Sequence, residues 1–328
     1  MDIKKTKTGF LTVLIFLVIN LIPVGLSADK SSLKFIKDLV IGKNFGDHNF
    51  IFSAITDVDL DKDGNIYILD AMDFRIQVFD GKGTFHKSIT LKRGQGPQEL
   101  NFSPIMAVTP EGIITTLDRM ARKILIHKSD GSFVRFFKID FQPIDLEFYA
   151  NDYLAVLGLY NDKIIHIFDL EGKKIQSFGD PFSIPKNQSQ YKDIPSLKLP
   201  KRFDSSQDGT LYLLNPHKYE IFVYTDGILT RKISGENKLY RPTMITQTNT
   251  GGRGIVFPVM YAFGWQNLLY VTLQGPGMDP ENQIEVFQDD KSIFSQVLKG
   301  FPYAIDNKGR LYIVEAEEFP VLVRYRII

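Results

Sequence analysis

Along residues 67–85, YILDAMDFRIQVFDGKGTF, a run of apolar residues stops at Asp-Ala-Met-Asp. Apolar–polar alternation then resumes, and Asp-Gly-Lys-Gly stops it again. Alternation with period two marks a strand with two unequal faces. Gly beside Asp or Asn marks a tight turn, because glycine tolerates positive φ and the short polar side chain bonds its own turn backbone. The stretch recurs. GNIYILD (64–70) is matched by EGIITTLD (111–118), NDYLAVLG (151–158), GTLYLLN (209–215), QNLLYVTL (266–273) and GRLYIVE (309–315). The following run recurs as well: RIQVFDGKG (75–83), KILIHKSDG (123–131), IIHIFDLEG (164–172), EIFVYTDG (220–227) and QIEVFQDD (283–290).

Each copy therefore reads as four short strands joined by tight turns, at a pitch of roughly 40–58 residues, which is the spacing of propeller blades. A four-stranded unit cannot bury both its faces alone, so the copies must stack in a ring. The last copy, 301–328, has only three strands, and LKFIKDLVIG (33–42) reads as an orphan fourth. Pairing the two closes the ring and leaves no broken edge. The expected fold is all-β: a six-bladed β-propeller of four-stranded antiparallel blades, closed by strand 33–42 joining the last blade.

GNIYILDAMDFRIQVFDGKGTF (64–85) and the loop RGQGPQEL (93–100) resemble the NHL-repeat-like six-bladed propellers, exported bacterial ones among them. The resemblance is sharpest over 55–104; Gln98 and Leu100 depart from it. It implies the same fold. Among relatives of that kind, lactonases hold calcium with axial carboxylates and amides, and amidating-type lyases use several histidines on zinc.

The first 28 residues form a separate segment. Lys4, Lys5 and Lys7 precede a mainly apolar run from Phe10 to Leu26, and Leu-Ser-Ala follows. This is the pattern of a cleaved signal peptide, so residues 29–328 are expected to be one exported propeller domain, periplasmic or secreted, without membrane insertion after cleavage. Cleavage takes away three Lys and one Asp, turning a net charge of +1 into −1, which argues against nucleic acid as a partner. The chain has no cysteine, which excludes disulfides, thiolate chemistry and a cysteine-linked lipid anchor. Its 26 Phe and 14 Tyr suit packed strands.

Superposing the copies, with strands a to d running outward from the axis, yields the candidate chemistry. The b–c turns and d–a links share one face, here the loop face. Binding residues concentrate on such loops. Arg93, Glu99, Arg119, Arg122, Tyr160, His217 and Tyr219 are its candidate ligand-binding residues. Asp70, Asp118, Asn215 and Glu315 end the b strands, where they either cap their own turns or hold a cation. Asp57, Asp145 and Arg202 begin the innermost strands of three copies, where Ile105, Met260 and Pro302 stand in the others. They form a candidate ligand site at the channel mouth or an internal ion pair. The five histidines, at 48, 86, 127, 166 and 217, do not share one structural position, so a zinc site of the usual kind is not expected. Trp265, in an a–b turn on the opposite face, reads as packing.

No catalytic set emerges. The expectation is a non-catalytic binding module, a monomer without cofactor, whose loop face holds a protein, peptide or glycan. The alternative is a calcium-dependent hydrolase or lyase at the channel mouth, with Asp57 and Asp145 as ligands.

Overall fold

The computed structural model describes residues 33–328 other than 102–103, 151–152, 207, 248–252, 257–259, 275–280 and 317. The segment read as a signal peptide, 1–28, lies outside the described residues. The chain forms six four-stranded antiparallel sheets. Blade one is Ile55–Leu60, Ile66–Asp70, Arg75–Phe79 and Phe85–Thr90. Blades two to five repeat the order with inner strands Ile105–Val108, Asp145–Tyr149, Phe203–Ser205 and Met260–Trp265. Blade six takes Phe301–Ile305, Leu311–Glu315 and Val321–Ile327 from the end of the chain and Phe35–Ile41 from its beginning. That last strand pairs antiparallel with Val321–Ile327, Phe35 opposite Ile327 and Ile41 opposite Leu322. The ring closes as the unpaired runs at the two ends require.

The glycine that marks each copy sits in the a–b turn. Gly64, Gly112, Gly209 and Gly309 have φ between +73° and +81°, a conformation that other residues adopt at a cost. Two b–c turns share a second feature: Phe74 and Arg122 occupy equivalent left-handed positions at φ 50° and 51°.

The core lies between blades rather than at the centre. Ile105, Leu117 and Ile124 of blade two pack on Leu146, Leu154 and Val156 of blade three. Ile55, Ile66 and Ile68 of blade one pack on Tyr312, Val314 and Leu322 of blade six. Strands a to c are buried on both sides, while strand d exposes alternate residues, as in Phe85–Thr90. The two long d–a links fold back onto the ring. One carries short 3-10 turns at Lys186–Tyr191 and Pro195–Lys198, the other a hairpin of Met244–Gln247 with Arg253–Val256.

Candidate functional site

Each inner strand turns one bare edge toward the axis, and its N–H groups have no strand to pair with. Carboxylates from the preceding blade meet several of them. Asp57 Oδ2 accepts from Met106 N at 2.9 Å, and Asp59 Oδ2 from Val108 N at 2.5 Å. Asp145 Oδ2 accepts from Phe203 N at 3.2 Å, and Asp204 from the Gly264 N–H. The acids thus stand in two tiers, two residues apart on the same side of their strands: Asp57, Asp145 and Arg202, then Asp59, Glu147 and Asp204. Blades two, five and six supply no charge at these places.

Arg202 crosses the axis. Its guanidinium is 3.4 Å from Asp57 Oδ1, donates to the Thr56 carbonyl at 3.2 Å, and lies over the rings of Tyr303 and Tyr261 at 4.9 and 5.6 Å. On the other side of this plug a cavity of about 340 Å³ opens toward the a–b turns. Asp57, Asp59, Glu147 and Asp204 line it with Phe148, Trp265 and Tyr303. The carboxylates of Asp61 and Asp306 also reach its rim, but each is committed to its own turn and to a tyrosine hydroxyl, that of Tyr67 or Tyr312.

Burial dominates the electrostatics. It raises the Asp57 pKa against the opposing pull of Arg202. It pushes Asp59 up to about 7 despite two backbone N–H donors. Asp145 also rises to about 7, from burial first, with Arg202 opposing and Asp57 adding. Glu147 and Asp204 are raised well above the ordinary carboxylate range by burial and by their acidic neighbours. Burial disfavours the charge on Arg202, yet Asp57, Asp145 and the two tyrosines hold it more firmly protonated than usual. Five carboxylates share one guanidinium. Asp145 Oδ1, fully buried, has no hydrogen-bond partner among the described residues, and Glu147 has neither hydrogen bond nor ion pair among them.

These carboxylates do not fit a metal ion. Among the described residues no three His, Asp or Glu side chains are disposed to hold one. Both Asp57 oxygens are already taken, by Val58 N, Arg202 and Met106 N. The histidines are dispersed: His166 bonds Ser177 Oγ and the Gly158 carbonyl, while His127 is buried against Phe133.

The loop-face candidates divide. Arg93, Arg119 and Arg122 are exposed, and Arg93 lies 5.2 Å over the Phe74 ring. Glu99 is turned inward and accepts from Gly96 N. Tyr160 is half-buried, stacked on Phe141. His217 and Tyr219, placed on the open face by sequence, are buried because the long links cover them. His217 Nε2 meets the Leu197 carbonyl at 2.7 Å; Tyr219 donates to Glu285 at 2.8 Å and stacks on Tyr240.

The strand-b acids also divide. Asp118 and Asn215 cap their own turns at Ala121 N and His217 N. Asp70 instead holds the incoming link through Ser53 N and Ala54 N and pairs with Arg75. Glu315 ties strands c and d of blade six through Tyr325 and Lys37. Sequence superposition found the first tier of the channel and missed the second. Asp59, Glu147 and Asp204 follow it by two residues, and the period-two rule puts them on the same strand face. Trp265, read as packing, packs on Gly309 and also walls the cavity.

Residues 47–166 match the DUF5128 family, described as a 6-bladed beta-propeller. No curated protein matches the chain in sequence. Among solved structures it is similar to an exported protein from Bacteroides fragilis, with TM-score 0.57 and 12% identity, over 92% of this chain and 96% of that one. A DUF4221 member from Bacteroides vulgatus gives TM-score 0.60 and 11% identity over 91% and 99%. A streptogramin B lyase gives 0.52 and 14% over 92% and 100%. At these identities the likeness is one of fold: a complete six-bladed propeller.

Proposed function

We propose that this chain is an exported, non-catalytic binding propeller whose axial cavity takes a small organic cation. The observation that carries the reading is the imbalance of charge around the cavity, with Glu147 in its wall lacking a hydrogen bond or ion pair among the described residues. A protonated amine entering there lets the acids ionise and pairs with Glu147 and Asp204 in a low-dielectric site. The faces of Trp265 and Tyr303 suit the same ligand, because a ring's quadrupole attracts a cation. A compact ammonium needs no converging set of three ligands, unlike a metal ion. The apolar leader and the likeness to an exported Bacteroides fragilis protein support export, and no helix among the described residues is long and apolar enough to cross a membrane.

The test is calorimetric titration of the exported protein with putrescine, tetramethylammonium and calcium chloride. Saturable binding of an organic cation, abolished in Glu147→Gln and Asp204→Asn variants, supports the reading. Stoichiometric calcium binding with no amine binding replaces it with the calcium-dependent hydrolase or lyase alternative. No binding of any cation removes the cavity as a site.

A further inference from the structure

The opposite face carries a second, independent feature. The three most exposed large apolar side chains among the described residues are Phe45, Met120 and Met72, at 82%, 72% and 71%. All three lie on the loop face over blades one and two. Phe45 is in the link entering blade one, Met72 in that blade's b–c turn, and Met120 in the b–c turn of blade two. Arg93, Arg119 and Arg122 stand among them on the same link and turns, exposed and in no ion pair with another described residue.

The sector is built rather than loose. Arg75 clasps the first link through the Ile51 carbonyl at 2.5 Å, and Ser53 Oγ donates to Asp73 at 3.0 Å. Lys123 clasps the second link through the carbonyls of Gly96, at 2.8 Å, and Glu99. Arg93 over Phe74 joins that second link to the first turn. The nearby acids are committed inside these clasps: Asp73 to Arg75, Asp70 and Asp118 to backbone N–H groups, Glu99 to Gly96 N. What faces outward is three guanidiniums and three apolar knobs on a fixed scaffold. Both ends of the described chain, Lys34 and Ile328, meet on the other face, where they pair with each other.

We infer that this sector of the loop face docks an acidic polypeptide segment that carries apolar side chains. The unpaired guanidinium forks match carboxylates bidentately, and thioether side chains adapt to varied apolar partners. A pre-ordered surface loses little conformational freedom on binding.

Fluorescence anisotropy of a labelled peptide that alternates Glu with Leu and Phe tests it on the exported protein. The expected result is binding that weakens as salt rises and is lost for a peptide with Gln at every Glu position. The combined Arg93→Glu, Arg119→Glu and Arg122→Glu variant should bind about tenfold more weakly or worse, as should a Phe45→Ser, Met72→Ser, Met120→Ser variant. Lys308→Glu, on the opposite face, should change nothing. Thermal melts should be unaltered throughout, since these side chains are exposed. Equal binding of the Gln peptide, indifference to the arginine variants, or no binding at all overturns the inference. So does capture of the protein by phosphatidylglycerol vesicles that the peptide does not reverse, or self-association through the same residues.

Discussion

Across the axis of the ring, the Arg202 guanidinium of blade four stands 3.4 Å from the Asp57 carboxylate of blade one, 145 residues away in sequence. The same guanidinium lies over tyrosine rings of blades five and six, so one side chain touches four blades. Propeller blades contact chiefly their neighbours. Arg202 is therefore a tie that nearest-neighbour packing does not supply, and it separates the basic loop side of the channel from the acidic cavity. On the loop side, burial and the charges of Arg202 and Arg119 lower the pKa of Lys201.

Arg202→Met should be strongly destabilising. It leaves Asp57 and Asp145 buried without their only cation, and losing one partner of a buried pair typically costs about 3–5 kcal/mol. Replacing both partners, Arg202→Met with Asp57→Asn, should recover a large part of that loss, because no unpaired charge remains. Urea unfolding monitored by tyrosine fluorescence measures both. A single variant as stable as the parent would show that the tie contributes nothing.

Stability should fall as pH rises through neutrality. Asp59 ionises near 3.8 when unfolded and near 7 when folded, so the folded state holds the extra proton between those values. The resulting stabilisation is complete below 3.8 and is lost as pH climbs through 7. Asp145, also raised to about 7, acts in the same direction. Melting temperatures should therefore be a few degrees higher at pH 5 than at pH 8, and Asp59→Asn should flatten that slope. A parent protein that melts lower at pH 5 would contradict the raised values.

The blade pattern was legible because it is local. Period-two strands, the a–b glycines and the orphan run 33–42 each express a backbone requirement within a few residues. Asp57, Asp145 and Arg202 were legible by superposing copies, and period two extends that reading to Asp59, Glu147 and Asp204. Which end of the channel stays open was not legible. It depends on how side chains from four blades fill the axis, and on a β-bulge between Pro302 and Ala304 that leaves Tyr303 unpaired and available to Arg202. The burial of His217 and Tyr219 was equally hidden, since their covers, Leu197 and Tyr240, come from links without a repeat pattern.

Gly264→Ala should destabilise the contact between blades four and five. A Cβ there would lie 2.2 Å from the Tyr212 ring, and that ring is wedged into the core between the two blades. Overpacking of this kind typically costs about 1–3 kcal/mol. Gly264 also lines the cavity and donates its N–H to Asp204, so the backbone shift that relieves the clash should loosen that bond. The double variant Gly264→Ala, Tyr212→Leu should recover part of the loss. Thermal melts of the three proteins decide it, and an unchanged single variant would mean that Tyr212 moves aside freely.

Removing the closing strand should open the ring. Phe35 and Ile41 are 4% and 1% exposed, one packed into the blade five–six core and the other into the blade six–one core. Phe35→Ala and Ile41→Ala should each cost about 2–5 kcal/mol, the range for large-to-small changes in a packed core. Deleting residues up to Gly42 goes further. It bares the edge of Val321–Ile327 and the faces of two cores together, and an uncovered strand edge is a template for aggregation. The truncated chain should aggregate on refolding, and a synthetic peptide of residues 33–42 added in trans should restore a soluble monomer measured by size-exclusion chromatography. A truncated chain that refolds to a stable monomer without the peptide would show that blade six holds with three strands and that closure contributes little.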